Sequence, residues 1–205
     1  MPNKHWRKSQ LKDPFLVSAH QENYRSRSYF KLQQINKSQK IIRKGMNCID
    51  LGSYPGGWSL YTRKNLANKD RIFAIDLKKM NEIPGVSFVQ GDFSDPDIQK
   101  TLSIQLNNLS IALVMSDIAP NITGNELVDQ CRSIDLAEIC LEFSANTLED
   151  GGTFLVKLFQ GEGFEDYIDH VREFFGKIKV IKPEASRKES REVFLLAKNF
   201  NYCDN

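Results

Sequence analysis

The sequence lacks the features that are typical of secreted, membrane-spanning or metal-binding proteins. No apolar run approaches the roughly 20 residues that span a bilayer, and the first residues lack the apolar stretch of a secretory signal. The four cysteines show no CxxC spacing, and the three histidines form no HxxxH or HExxH pair. We therefore expect a cytoplasmic protein with no membrane segment, no disulfide framework and no metal site.

The net charge is small, but it is unevenly distributed. The chain has 28 Lys and Arg against 26 Asp and Glu, a formal net charge of +2. Residues 1–44 contain eleven basic and two acidic residues, so the rest of the chain has an excess of seven negative charges. Clustered basic residues bind polyanions by neutralising phosphates, although basic termini also occur as solvated tails. The charge pattern leaves nucleic acid binding open, and it predicts a flexible basic arm over residues 1–20.

Apolar segments and helical patterns alternate along the rest of the chain. Strands are predicted at 46–52, 71–77, 86–92, 110–117, 151–159, 178–183 and 191–198. Helices are predicted at 25–38, 58–67, 95–106, 128–148 and 164–175. The connection between the last two strands is too short for a helical crossover, so these strands should form a hairpin. The pattern predicts a single α/β domain over residues 21–205, with helices on both faces of a seven-stranded, mostly parallel sheet that has one antiparallel strand.

Carboxylates follow the first three strands, where open α/β sheets bind ligands. These carboxylates are Asp50, Asp76 and Asp92, and the loop DLGSYPGGW after the first strand has three glycines. A dinucleotide site requires GxGxxG and a place for a pyrophosphate, which nearby carboxylates disfavour. A ligand with a sulfonium and an ammonium group suits these carboxylates better. We therefore predict S-adenosylmethionine as the cofactor, with a nicotinamide-dependent oxidoreductase as the alternative.

Four charged residues form a second constellation. Lys157 lies inside the apolar strand GGTFLVKLF, where an ammonium group is costly unless it is paired. Asp117 ends the neighbouring strand in SDIAPN, so the two side chains can meet above the sheet. Lys31 and Glu192 add a second lysine and a second carboxylate. The pattern alone fits a buried ion pair without chemistry as well as it fits a catalytic group.

Four motifs resemble those of the FtsJ/RrmJ-type methyltransferases: DLGSYPGGWSLY, SDIAPNITG, VKLFQGEGF and SRKESREVF. The likeness extends from about residue 24 to 198, and it implies a Rossmann-like methyltransferase fold and methylation of a ribose 2′-oxygen. In the bacterial members that the chain resembles, the substrate is a uridine of 23S rRNA in the large ribosomal subunit. The resemblance implies a catalytic tetrad of Lys31, Asp117, Lys157 and Glu192. The predicted cofactor-binding residues are Asp50, Gly52, Ser53, Pro55, Gly56, Gly57, Trp58, Asp76, Leu77, Asp92, Phe93 and Asp117.

Two positions depart from the family pattern. Ser53 and Tyr54 replace small residues in the first loop, and Phe194 replaces the tyrosine of REVY. Neither departure changes the tetrad.

Two roles remain open for Lys157. As a general base it must be a neutral amine, which burial and Lys31 favour. Asp117 and Glu192 favour the charged ammonium, which would orient the ribose hydroxyl while proximity assists the reaction.

The predicted partner is RNA and not DNA, because the reaction requires a 2′-hydroxyl. Phosphate contacts are predicted for Lys179, Lys182, Arg187, Lys188 and Arg191, although Glu184 and Glu189 between them also fit a solvated surface. Rival functions are methylation of tRNA or of an mRNA cap, and a non-catalytic role in ribosome assembly. We expect a monomer that releases S-adenosylhomocysteine as product.

Overall fold

A computed structural model describes residues 14–187 and 189–201, apart from the side chain of His20. The helices are α1 (Pro14–Gln21), α2 (Ser28–Gln39), α3 (Gly57–Asn65), α4 (Pro96–Leu106), α5 (Glu126–Ala145) and α6 (Phe164–Arg172). The strands are β1 (Cys48–Leu51), β2 (Ile72–Asp76), β3 (Val86–Gln90), β4 (Ile111–Ser116), β5 (Leu148–Phe159), β6 (Phe175–Ile181) and β7 (Glu192–Phe200). None of these helices is long and apolar enough to cross a bilayer.

The strands form one sheet in the order β3-β2-β1-β4-β5-β7-β6. Strands β1 to β5 pair in parallel, whereas β7 is antiparallel to both β5 and β6. The predicted seven-stranded sheet with one antiparallel strand is therefore confirmed, and so is the hairpin of the last two strands. The order reverses between β1 and β4, and open α/β sheets bind ligands at the carboxyl ends of strands beside such a switch point.

Helices cover both faces of the sheet, as predicted. One apolar core lies between the sheet and α4, α5 and α6, and it includes Leu102, Leu141 and Tyr167. The second core lies between the sheet and the helices α2 and α3, and it includes Leu32 and Trp58. All six residues of β4 are buried because helices cover this strand on both sides.

Two of the helices have an N-cap residue whose side chain accepts hydrogen bonds from backbone amides of the first turn. Asp95 precedes α4 and accepts a hydrogen bond from the amide of Asp97, while Pro96 occupies the first turn. Asn125 precedes α5, and its side chain accepts from two amides of the first turn. The helix predicted over 164–175 is too long, because α6 ends at Arg172 and the next residues enter β6.

The prediction of an irregular arm to residue 20 is wrong for residues 14–20, which form most of α1. Pro14 stands at the first helical position, where its fixed φ favours a helix. The Phe15 ring lies 5.5 Å from the Phe30 ring, and Ala19 is buried. Packing against α2 thus orders a segment that shows little helical periodicity. Residues 1–13 of the predicted arm lie outside the described residues.

Candidate functional site

A cavity of about 440 Å³ opens at the carboxyl edge of the sheet, beside the switch point. We call it the edge cavity, and its walls come from the segments after β1, β2, β3 and β4. Six of the predicted cofactor-binding residues line it: Gly52, Asp76, Leu77, Asp92, Phe93 and Asp117. Its volume is within the usual range for pockets that bind small molecules.

Two carboxylates of the edge cavity are fixed by neutral donors. Asp76 accepts hydrogen bonds from the amides of Tyr54 at 2.9 Å and Lys78 at 2.8 Å. Asp92 accepts from the amide of Ser94 at 2.9 Å and from its hydroxyl at 2.7 Å, and these bonds lower the pKa of Asp92. Within residues 14–187 and 189–201, no lysine or arginine forms a salt bridge with either carboxylate. Both carboxylates therefore offer uncompensated negative charge to a ligand.

Gly52 brings two walls of the edge cavity together. Its φ is +75°, and a Cβ at this position would lie 2.5 Å from Cγ1 of Ile118. A side chain would therefore push apart the segments that follow β1 and β4.

Asp50 differs from the other two acidic residues that the sequence places at strand ends. It lies inside β1 and is fully buried, and Asp76 is the last residue of β2, so the prediction that these two residues follow their strands is wrong. Ser59 donates a hydrogen bond to its Oδ2 at 2.5 Å, while Oδ1 has no partner among the described residues. The pKa of Asp50 is raised to about 7, mainly by burial and also by the charges of Asp117 and Asp76, while the hydrogen bond from Ser59 opposes the shift.

The other predicted cofactor-binding residues do not line the edge cavity: Asp50, Ser53, Pro55, Gly56, Gly57 and Trp58. Several of them pack against the segment before α2. The indole of Trp58 donates to the carbonyl of Ser28 at 2.9 Å, and a Cβ at Gly57 would collide with the Ser26 hydroxyl. Direct contact of these six residues with a cofactor stays a prediction.

The predicted tetrad consists of two ion pairs. Lys157 is 7 % exposed, and its Nζ lies 3.0 Å from Oδ1 of Asp117 and 2.6 Å from the carbonyl oxygen of the same residue. The Nζ of Lys31 lies 2.6 Å from Oε1 of Glu192. Asp117 also lines the edge cavity, so this residue joins the cavity to the tetrad.

Strand pairing places both ion pairs on one face of the sheet. Lys157 is the cross-strand partner of Phe194, and Glu192 precedes Phe194 by two residues on the same strand. Partners across strands, and residues two apart on a strand, share a face. The Nζ of Lys31 lies 5.6 Å from the centre of the Phe194 ring. The structure thus brings the four predicted residues together around Phe194, on the face covered by α2.

Ser186 is a polar neighbour of the tetrad that sequence reasoning did not single out. Its hydroxyl is 2.8 Å from Oε1 of Glu192, and the residue is buried. The preceding residue, Ala185, accepts a hydrogen bond from Arg27 and donates one to Gln34 at 3.0 Å. The serine belongs to the quoted motif SRKESREVF, but nothing in the pattern shows which of its polar residues reaches the carboxylate.

The predicted phosphate-binding residues that the structure describes lie on β6 and in the loop between β6 and β7. Lys182 donates a hydrogen bond to the carbonyl of Ser190 at 2.8 Å, and Arg191 lies 3.5 Å from the carboxylate of Glu126. Lys179 is exposed on the edge strand β6, and Arg187 is exposed in the loop before β7. Lys188 lies outside the described residues.

Comparison with known proteins adds independent information. The sequence model of the FtsJ-like methyltransferases matches residues 24–200. The chain is 43% identical over 197 residues to ribosomal RNA large subunit methyltransferase E of Neisseria meningitidis, with 96% of each chain covered. A Plasmodium falciparum protein assigned as a ribosomal RNA methyltransferase has a similar structure, with a TM-score of 0.77, 28% identity, and coverage of 86% of this chain and 98% of that one. A protein of Clostridium thermocellum assigned as an rRNA-methylase shares the fold, with a TM-score of 0.57, 14% identity, and coverage of 82% and 97%.

Proposed function

This chain belongs to the FtsJ-like methyltransferase family, and we propose that it methylates a ribose 2′-oxygen of ribosomal RNA with S-adenosylmethionine as donor. The name of the Neisseria relative points to the RNA of the large subunit, and the motif resemblance points to a uridine of 23S rRNA. The observation on which the proposal rests is the position of Asp117, which lines the edge cavity and is paired with the buried Lys157.

The residues of the edge cavity fit a positively charged donor. Asp50, Asp76 and Asp117 are close enough for the charges of the last two to raise the pKa of the first. Asp76 and Asp92, which have no lysine or arginine partner among the described residues, create a negative potential that favours a sulfonium and an ammonium group. The same potential opposes a pyrophosphate, which argues against the nicotinamide alternative.

Asp76 and Asp92 would hold polar groups of the donor, and Gly52 allows the segments after β1 and β4 to approach each other closely in the wall of the edge cavity. When bound, the donor supplies a methyl group on a positively charged sulfur. The residues of the tetrad have the complementary task of presenting a ribose hydroxyl to that methyl group.

The Nζ of Lys157 can form one further hydrogen bond, to the substrate. Its Nζ already donates to two oxygens of Asp117. A neutral amine would thereby use both of its hydrogens and keep a lone pair for the proton of the 2′-hydroxyl. A charged ammonium would instead keep one N–H group that can orient the hydroxyl oxygen. The contacts therefore fit both roles, and the proton of the hydroxyl passes to Nζ in the first and to solvent in the second.

Glu192 also has one oxygen left for the substrate. Lys31 and Ser186 both contact Oε1, so among the described residues Oε2 is the oxygen placed to accept a hydrogen bond from a ribose. Lys31 keeps the carboxylate in place and balances its charge. The tetrad thus offers a lysine and a carboxylate oxygen on one face, and both can form hydrogen bonds with the 2′-hydroxyl, the free hydroxyl of a ribose within an RNA chain.

Transfer of labelled methyl groups to large ribosomal subunits from cells that lack the protein tests the proposal. The recovered rRNA is digested to nucleosides, and we expect the label in 2′-O-methyluridine. Label in a base-methylated nucleoside would contradict the proposal. Absence of label from rRNA, with transfer to tRNA or to capped RNA, would support the rival substrates. A folded protein that binds the donor but methylates none of these RNAs would favour the assembly role.

A further inference from the structure

A groove rich in lysine runs between α2 and the edge strand β6. We call it the α2–β6 groove. Its first part, about 670 Å³, is lined by residues between 33 and 38 of α2 and by residues 181–184. Its second part, about 380 Å³, is lined by Gln39, Lys177, Ile178, Lys179, Leu196 and Lys198. Glu184 is the one acidic residue among the lining residues of both parts.

Strand register explains why the lysines converge. Lys177 and Lys198 are cross-strand partners, and Lys179 lies two residues further along β6 on the same face. Like charges at such positions repel one another and destabilise a sheet. The effect is visible at Lys198, whose pKa is lowered by burial and then by the charges of Arg43, Lys179 and Lys177. A partner with negative charge would relieve this repulsion.

One end of the α2–β6 groove lies near the tetrad, because Gln34 lines the groove and binds the amide of Ala185, next to the Ser186 that contacts Glu192. Helix α2 contacts β7 near both of its ends, because Lys31 binds Glu192 and the carbonyl of Gln39 accepts a hydrogen bond from Lys198 at 2.9 Å. Glu192 and Lys198 lie six positions apart on β7, which corresponds to about 20 Å of strand. The lysines therefore line a path that starts beside the proposed ribose site.

The opposite face of the sheet has the opposite charge. Helices α5 and α6 contain eight acidic residues and two basic residues, Arg132 and Arg172. A polyanion that enters the tetrad is repelled from that face and attracted to the α2–β6 groove.

We infer that the RNA strand on one side of the methylated ribose lies along the α2–β6 groove, with its phosphates against Lys177, Lys179 and Lys198. The inference rests on the proposed function, since it takes the tetrad as the ribose site. It extends that proposal, because only Lys179 and Lys182 of the predicted phosphate contacts line the groove, and the groove adds Lys177 and Lys198.

The test compares matched charge reversals in the whole protein. Lys177→Glu combined with Lys179→Glu alters two exposed residues of the α2–β6 groove. The control combines Lys69→Glu with Lys100→Glu, two exposed residues that do not line it and give the same change of charge. A third variant, Lys177→Arg with Lys179→Arg, keeps the charge. The probe is a fluorescent single-stranded RNA that contains a uridine, and its dissociation constant is measured at a series of salt concentrations.

We expect the groove variant to bind this RNA at least about tenfold more weakly at low salt. The slope of log affinity against log salt should fall by about 0.7 for each lost phosphate contact, hence by about 1.4. The control and the arginine variant should behave like the unmodified protein, and all three should bind S-adenosylhomocysteine equally. Equal RNA affinity and equal salt slope in the groove variant and the control would overturn the inference.

Failure of the inference and failure of the proposed function have different signatures. If the unmodified protein methylates ribose and the groove variant binds RNA as the control does, only the inference is wrong. If RNA binding requires the lysines but no ribose is methylated, the proposed function is wrong and so is the assignment of the tetrad as the start of the path.

Discussion

The carboxylates of the edge cavity and those of the tetrad have different partners. Asp76 and Asp92 are held by backbone amides and a hydroxyl, whereas Asp117 and Glu192 are each paired with a lysine. Carboxylates without cationic partners keep their charge for a cationic ligand, while paired ones form a nearly neutral surface suited to a ribose. Under the proposed function, charge compensation, more than residue type, would distinguish the donor site from the ribose site.

Replacement of Asp117 should have the largest effect, because this residue belongs to both regions. Asp117→Asn removes the charge that faces the edge cavity and the partner of Lys157. We expect weaker binding of S-adenosylhomocysteine and a fall in methyl transfer on the order of 10²- to 10⁴-fold. Calorimetry and labelled-methyl transfer measure the two effects. A variant that loses only one of the two properties would show that the regions do not meet at this residue.

The raised pKa of the buried Asp50 can be tested through the pH dependence of the free energy of unfolding. Its folded pKa is about 7, against 3.8 for an ordinary Asp, so the folded state binds more protons between these values. The contribution of Asp50 to the free energy of unfolding is therefore fully present below about pH 4 and is lost as pH rises through 7. The loss is on the order of 4 kcal/mol for a shift of about three units.

Denaturant unfolding between pH 4 and 8 measures this contribution when the protein is compared with Asp50→Asn, which cannot ionise. We expect the stability difference between the two proteins to change across this window in favour of the variant at high pH. A difference that stays constant with pH would mean that burial does not hold this carboxyl protonated.

Asp76→Asn should weaken the edge cavity alone. Loss of one carboxylate charge should reduce affinity for the donor by about 10- to 100-fold, because a charged hydrogen bond contributes about 1.5 to 3 kcal/mol. Methyl transfer at saturating donor should change much less. Asp97→Asn, an exposed position on α4 outside the cavity, is the matched control for titration calorimetry. A large loss of methyl transfer at saturating donor would contradict the prediction that Asp76 acts on donor binding alone.

Ser186→Ala should have the smallest effect and should concern the tetrad alone. The serine contacts Glu192 but not the edge cavity, so it is a positioning residue. Loss of one hydrogen bond of about 1 kcal/mol predicts a several-fold lower kcat with an unchanged KM for the donor. Ser186→Thr keeps the hydroxyl and should restore activity. A change in donor KM without a change in kcat would refute the positioning role.

Residue patterns predicted the parts of the fold that depend on local sequence. The buried strand β4 is recognisable because its residues are almost all apolar. Lys157 in β5 is recognisable because apolar strands rarely contain a charge. The hairpin of the last two strands, and with it one antiparallel strand, followed from the short connection between them, whereas the order of the strands in the sheet was not predicted.

Features that depend on distant contacts were missed. Helix α1 is stabilised by Phe15 against Phe30, and periodicity cannot show that contact. The burial of Asp50 depends on the packing of α3, whose Ser59 contacts its carboxylate. The bond from Ser186 to Glu192 depends on the course of a loop. In each case the deciding interaction lies outside the window that a pattern can evaluate.

The most direct test of the central claim measures donor binding and methyl transfer together in Lys157→Ala. The claim is that the tetrad performs the transfer while the edge cavity binds the donor. It predicts loss of transfer by about 10² to 10⁴-fold, with the dissociation constant of S-adenosylhomocysteine nearly unchanged. Lys157→Met preserves the volume of the side chain and Lys100→Ala controls for surface charge, and thermal unfolding verifies the fold of each. Equal loss of binding and transfer in a folded variant would contradict the account.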